Sequence, residues 1–221
     1  MAIPTKRFQR TAIEFLTRPE IEALLNAPDP ATWIGRRDRT LLLLAAQTGL
    51  RVSELVGLCR GDVVLGHGAY VHCLGKGRKA RCTPLRKDAV RAMHEWLRER
   101  AGASSDPLFP NQSGGVLSRD SIEHIVRKYV GAAAKHCPSL QHKRISPHVL
   151  RHSAAMDLLQ HGVDSVVIAL WLGHESVETT QVYLHADMQM KEKALERSSP
   201  ANVLIGRYQP DDALLSFLEG L

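Results

Sequence analysis

Residues 37–47 constrain the fold more than any other part of this sequence. Four consecutive leucines at residues 41–44 make a helix there apolar on every side, so other elements must surround it. Gly49 follows and is suited to end such a helix in a left-handed conformation. With 221 residues, of which 44% are hydrophobic, the chain can build one large core around this helix.

Other segments show clear helix and strand patterns. Residues 69–74 and 80–85 are β-type segments on either side of residues 75–79, which predict a hairpin with a cationic tip. Residues 136–144 are expected to be a basic loop. Further helices are predicted to start near Thr17, Arg51, Lys87, Ser118, Ser146, Asp164 and Ser176. The prediction is a mainly α fold with a small antiparallel β-sheet (α+β), between a basic tail (1–11) and a C-terminal segment (200–221).

Composition limits the classes of function. The net charge of +6 and the pI of about 9.3 favour a polyanionic partner but do not prove one. Neither a membrane span nor a signal peptide is apparent. Four cysteines without a CxxC pair are typical of free thiols, so we expect a cytoplasmic protein; they are Cys59, Cys73, Cys82 and Cys137.

Two sets of basic residues lie at positions where an anion could bind. Arg51 follows the buried helix, and Glu54 lies one helical turn away, where it could orient the guanidinium. His148 and Arg151 are three residues apart at a helix start, a favourable place for an anion. Each residue taken alone is more often a solvated or core side chain.

Three further candidates are weaker when considered singly. His174 follows a predicted helix end, and Tyr183 lies nine residues later, where it could also be an ordinary core tyrosine. Lys76 is at the hairpin tip, where charged residues are common. His152 could join His148 in a metal pair, but the HExxH pattern is absent, so we expect no metal.

Taken together, these motifs resemble the tyrosine recombinase (phage-type integrase) family. The match covers roughly residues 16–187 and is most similar to the bacterial branch of Xer-like recombinases and transposon integrases. The motifs that carry it are Arg51 in Thr-Gly-Leu-Arg-Val-Ser-Glu-Leu, Lys76 in Gly-Lys-Gly, His148 and Arg151 in His-x-x-Arg-His, His174 in Leu-Gly-His, and Tyr183.

The resemblance implies a DNA breaking-rejoining catalytic-domain fold over residues 12–199 and a role for each motif residue. The two arginines would clamp the scissile phosphate, and the two histidines would hydrogen-bond its oxygens, with His148 able to accept the tyrosine proton. Lys76 would protonate the leaving 5′-hydroxyl, and Tyr183 would form a 3′-phosphotyrosine link. Glu54 would support Arg51. The reaction would need no cofactor.

The resemblance also implies partners. Double-stranded DNA would be the substrate, and residues 211–221 would dock on a neighbouring copy to form a tetramer on DNA, although docking on their own domain stays open. Family members usually carry an N-terminal DNA-clamping domain, and whether one was removed here or is naturally absent also stays open. Candidate contacts to the DNA backbone, each also typical of a solvated charge, are Arg78, Lys79, Lys143 and Arg144.

Three other functions remain as alternatives. A non-catalytic DNA-binding regulator could keep the same fold, and it would form no covalent adduct. A type IB topoisomerase shares the nucleophile and the cations, but usually lacks the Leu-Gly-His motif and the docking segment. A metal-dependent hydrolase is a distant possibility that EDTA sensitivity would indicate.

Overall fold

A computed structural model of the chain describes residues 13–75, 80–99 and 101–174. These residues all belong to the first of two units into which the chain divides, Met1–Asp187 and Met188–Leu221. The elements in chain order are α1 (Arg18–Asn26), α2 (Trp33–Thr48), α3 (Val52–Gly57), β1 (Val63–Val64), β2 (Tyr70–Leu74), β3 (Ala80–Pro84), α4 (Lys87–Glu99), α5 (Arg119–Ala133), α6 (Pro147–Gln160) and α7 (Ser165–Leu172). The prediction of a mainly helical fold with a small antiparallel sheet is confirmed.

Helix α2 is the centre of the core, as its leucines predict. Leu41 and Leu42 are fully buried, and each buried leucine stabilises the fold by about 1.5–3 kcal/mol. The helix begins earlier than the apolar pattern indicates, because the Thr32 hydroxyl accepts a hydrogen bond from the Gly35 N–H. It ends at Gly49, whose φ of 62° is left-handed. Helices α4 and α6 both pack against α2.

The sheet has three strands in the order β1-β2-β3, each pair antiparallel. The two longer strands agree with the β-type segments of the sequence, and His72 lies opposite Cys82 in their register. Strand β1 was not predicted, because two residues are too few to show an alternating pattern. Residues 76–79, at the expected hairpin tip, lie outside the described residues.

Helix α6 has the bounds that its capping residues predict. Ser146 caps the helix by accepting a hydrogen bond from the Val149 N–H, and Pro147 occupies the first position. The expected loop at residues 136–144 is partly wrong, because Pro138–His142 forms a short 3₁₀ helix. A proline at the first position favours that turn, since its φ is already close to helical.

The arrangement of the helices brings several helix ends together. The C-terminal ends of α2 and α7 and the N-terminal ends of α5 and α6 lie near Arg51 and Arg151. Helix α7 packs on α6, where Met156 and Ile168 form a second apolar cluster. None of the helices within the described ranges combines the length and the apolar character that crossing a bilayer requires.

Candidate active site

A cavity of about 330 Å³ brings together residues from distant parts of the chain. The N-terminal ends of α5 and α6 contribute to its wall, so the positive ends of two helix dipoles lie at the cavity. Arg51, His148 and Arg151 share this space, as the sequence predicts. The complete lining is Leu50, Arg51, Val52, Ser53, Arg119, Glu123, Ser146, Pro147, His148 and Arg151.

Arg151 is held by the carboxyl ends of two helices. Its Nη1 donates to the Gly49 carbonyl at 2.6 Å, and its Nη2 donates to the Leu172 carbonyl at 2.8 Å. Both carbonyls belong to helix ends, where the partial charge is negative and favours a cation. The side chain is therefore rigid, because the residue is only 4% exposed and bonded at both terminal nitrogens.

Arg51 is anchored to the C-terminal end of α7, which also holds Arg151. Its Nη2 donates to the Gly173 carbonyl at 3.0 Å, immediately after α7. Glu54 accepts from Arg51 twice, from Nη1 at 3.0 Å and from the backbone N–H at 2.7 Å. The pairing of Arg51 with Glu54 that their spacing indicates is thus present, and the Arg51 side chain remains about one third exposed toward the cavity.

Sequence reasoning missed Arg81 on β3. Both its Nη1 and its Nη2 donate to the Glu54 carboxylate at 2.8 Å. No signal in the sequence indicated it, because the alternation of polar and apolar residues along β3 would place Ala80 and Cys82 inward, whereas the structure buries Thr83 on the face of Arg81 and exposes the other two. An arginine on the inward face of a strand needs a carboxylate partner.

His174 lies in the electrostatic field of all three arginines. Burial, followed by the positive charges of Arg151, Arg51 and Arg81, lowers the pKa of His174 to about 4. The imidazole is therefore neutral near pH 7 and can donate one hydrogen bond while accepting another. The sequence-based grouping of His174 with the two motif arginines agrees with this placement.

The two histidines of α6 lie edge to face. The ring centroids of His148 and His152 are 4.9 Å apart. Burial, and then the charges of His148 and Arg151, lower the pKa of His152 to about 4. Across the described ranges, no cluster of three or more His, Cys, Asp or Glu side chains is placed to hold a metal ion.

Several predicted residues are elsewhere or outside the described part of the chain. The Lys143 ammonium donates to the buried Glu20 carboxylate at 2.7 Å and to the Phe15 carbonyl at 2.9 Å, which indicates a structural role. Arg144 is exposed. The predictions for Lys76, Arg78, Lys79 and Tyr183, and for the docking segment 211–221, fall on residues that are not described.

A larger groove of about 770 Å³ lies between α4 and the sheet. Its charged and polar lining residues are Lys87, Arg91, His94, Glu95 and Arg98, and the others are small or apolar. None of the predicted catalytic residues that the structure describes is part of it. The smaller cavity is the better candidate site, because it contains the converging guanidinium groups.

Comparison with known proteins identifies the family. The family model described as "Phage integrase family" matches residues 14–190, a range that includes the positions of Lys76 and Tyr183. The chain belongs to the phage integrase family. The family and the fold class inferred from the sequence motifs are both confirmed.

Proteins similar to this chain include two curated relatives and a solved structure. The integrase/recombinase y4rC of Sinorhizobium fredii is 52% identical over 221 residues, all of this chain and 67% of the relative. The tyrosine recombinase XerD of Pseudomonas aeruginosa is 41% identical over 175 residues, 77% of this chain and 56% of XerD. The chain thus spans between about half and two thirds of these relatives.

One structural neighbour is a crystal structure of the XerH site-specific recombinase bound to palindromic difH substrate in a post-cleavage complex. It matches with a TM-score of 0.71 at 29% identity, covering 84% of this chain and 53% of XerH. The fold of this chain is therefore similar to that of a solved site-specific recombinase.

Proposed function

We propose that this protein is a site-specific DNA recombinase that cleaves and rejoins strands through a covalent 3′-phosphotyrosine at Tyr183. The observation that carries the proposal is the convergence of Arg51 and Arg151, far apart in sequence, on one cavity beside His148. Guanidinium groups fixed in this way suit a phosphodiester, because their planar forks bond two oxygens and stay charged.

Each residue has a role in the proposed reaction. The Tyr183 phenolic oxygen attacks the scissile phosphorus, and its proton passes to His148. The bond from phosphorus to the 5′-oxygen breaks, and Lys76 protonates that oxygen as it leaves. His174, neutral at pH 7, hydrogen-bonds a phosphate oxygen. Because the phosphotyrosine conserves the phosphodiester bond energy, a later attack by a 5′-hydroxyl rejoins the strands without a cofactor.

Covalent capture of DNA tests the proposal and identifies the target sequence in the same experiment. The protein is incubated with sheared DNA from its source organism, and DNA that stays attached to protein after denaturation is sequenced. A nicked suicide duplex built from the enriched sequence is then expected to give a protein–DNA adduct on a denaturing gel. We expect Tyr183→Phe to lose the adduct entirely, since phenylalanine lacks the nucleophilic oxygen.

The same experiment distinguishes the alternatives. A non-catalytic regulator would bind the enriched DNA but give no adduct with the unsubstituted protein. A topoisomerase-like activity would relax supercoiled plasmid without exchanging strands between two marked duplexes. Adduct formation is expected to persist in EDTA, whereas loss in EDTA would favour metal-dependent chemistry and contradict the proposal.

The proposal includes a tetramer on double-stranded DNA assembled through residues 211–221. The apolar residues of this short segment need a docking surface, since a helix of that length is not stable alone. We expect truncation after Pro210 to reduce higher-order complexes on the captured duplex by about tenfold or more, measured by native gel shift. Unchanged complexes would contradict docking between copies.

The remaining predictions concern contacts to the DNA backbone, the bounds of the catalytic domain and the cellular location, and they stay proposals. Arg144, which is exposed, is a candidate contact to the DNA backbone, as are Arg78 and Lys79; Lys143 is less suitable because Glu20 already binds its ammonium. We also propose residues 12–199 as the catalytic domain. We also propose a cytoplasmic location, as expected for an enzyme that acts on double-stranded DNA.

A further inference from the structure

The carboxylate of Glu54 is shared by two arginines. It is 5% exposed and accepts four hydrogen bonds, two from Arg51 and two from Arg81. The Arg81 side chain is itself only 12% exposed and binds both carboxylate oxygens in a fork-to-fork geometry. Arg81 is therefore the more rigidly paired partner of this carboxylate.

Because Arg81 shares the Glu54 carboxylate, Glu54 neutralises less of the positive charge of Arg51. Burial alone would raise the pKa of Glu54, but hydrogen bonds from Arg81 and from the Arg51 N–H lower it below its usual value. Without Arg81, the guanidinium of Arg51 would be the cation bonded to a buried carboxylate. That pair would be close to neutral, and Arg51 would attract a phosphate less strongly.

Arg81 also contacts the turn that precedes His174. A Cβ built on Gly173 would lie 2.6 Å from Arg81 Nη1, so the guanidinium packs directly against that backbone. The Gly173 carbonyl is the group that accepts a hydrogen bond from Arg51 Nη2. Arg81 thus lies against both supports of Arg51, the carboxylate and the carbonyl.

We propose that Arg81 is a positioning residue for DNA cleavage, which holds Glu54 so that Arg51 keeps its orientation and its net positive charge. The inference rests on the proposed function. The guanidinium groups of Arg51, Arg81 and Arg151 and the carboxylate of Glu54 leave a net charge of about +2. A phosphodiester carries one negative charge and a phosphorane-like transition state carries two, so this excess stabilises the transition state more than the bound substrate.

Substitution of Arg81 tests the inference on the captured duplex. The rate of adduct formation is measured in single turnover at saturating protein, and the Kd is measured separately by gel shift. We expect Arg81→Met to lower the rate about 100-fold while the Kd changes by less than about threefold. Arg81→Lys keeps the charge without the bidentate geometry, so its rate should fall between that of the unsubstituted protein and that of Arg81→Met.

A matched control and a pH profile separate positioning from folding. Arg91→Met removes an exposed cation from α4, outside the site, and should leave the rate unchanged. Urea unfolding shows whether each variant is folded. Because Arg81 lowers the pKa of Glu54, Arg81→Met should move the acidic limb of the rate profile to higher pH.

Three results would overturn the inference. They are an Arg81→Met rate within about threefold of the unsubstituted protein, a Kd that weakens as much as the rate, and an acidic limb that does not move. Each of these leaves covalent capture by the unsubstituted protein intact. Failure of the unsubstituted protein to form any adduct would instead overturn the proposed function and this inference with it.

Discussion

Replacing Arg151 with alanine is expected to lower the rate of DNA cleavage by about a thousandfold or more. The substitution removes one of the two motif guanidinium groups that line the cavity, the other being that of Arg51. It also leaves the carbonyls of Gly49 and Leu172 without the donors that Arg151 supplies. Each buried acceptor that loses its partner costs about 1–3 kcal/mol, so the two together should lower the free energy of unfolding by about 2–6 kcal/mol.

Single-turnover adduct formation and urea unfolding measure the two effects separately. Arg151→Lys keeps a charge but cannot span both carbonyls and a phosphate, so we expect its cleavage rate to be low even where the protein is folded. Arg91→Ala is the matched control, because it removes an exposed arginine that does not line the cavity. A folded Arg151→Ala protein that cleaves within about tenfold of the unsubstituted rate would contradict the assigned role.

Gly49→Ala is expected to destabilise the protein by about 2–4 kcal/mol. The φ of 62° at this position disfavours any residue with a side chain. An added Cβ would also lie 2.6 Å from Cδ2 of Leu172, which is fully buried and has no room to withdraw. Because the Gly49 carbonyl anchors Arg151, cleavage should also be slower.

Two other glycines separate backbone strain from crowding. Gly162 has a φ of 77° with open space around it, so Gly162→Ala should cost only the strain, about 1–2 kcal/mol. Gly131 lies within α5 with open space, and Gly131→Ala should stabilise by about 0.5–1 kcal/mol. If the free energy of unfolding of Gly49→Ala is no lower than that of Gly162→Ala, crowding against Leu172 does not contribute to the destabilisation.

Local sequence signals predicted most of the described elements. Ser146 and Pro147 define the start of α6, and Gly49 defines the end of α2, because capping and left-handed turns depend on a few neighbouring residues. The pairing of Arg51 with Glu54 follows from their spacing. Strand β1 and the 3₁₀ helix at Pro138–His142 were missed, because such short elements depend on contacts with the rest of the chain.

The residue types and spacings of the sequence determined by themselves the family, the fold class and the set of motif residues. The tertiary structure alone decided that carbonyls at the ends of α2 and α7 hold Arg51 and Arg151, and that Arg81 shares Glu54 with Arg51. The reason is physical. Caps and apolar periodicity act within a few residues, whereas a buried guanidinium is satisfied by whichever distant carbonyl or carboxylate the packed helices and strands bring to it.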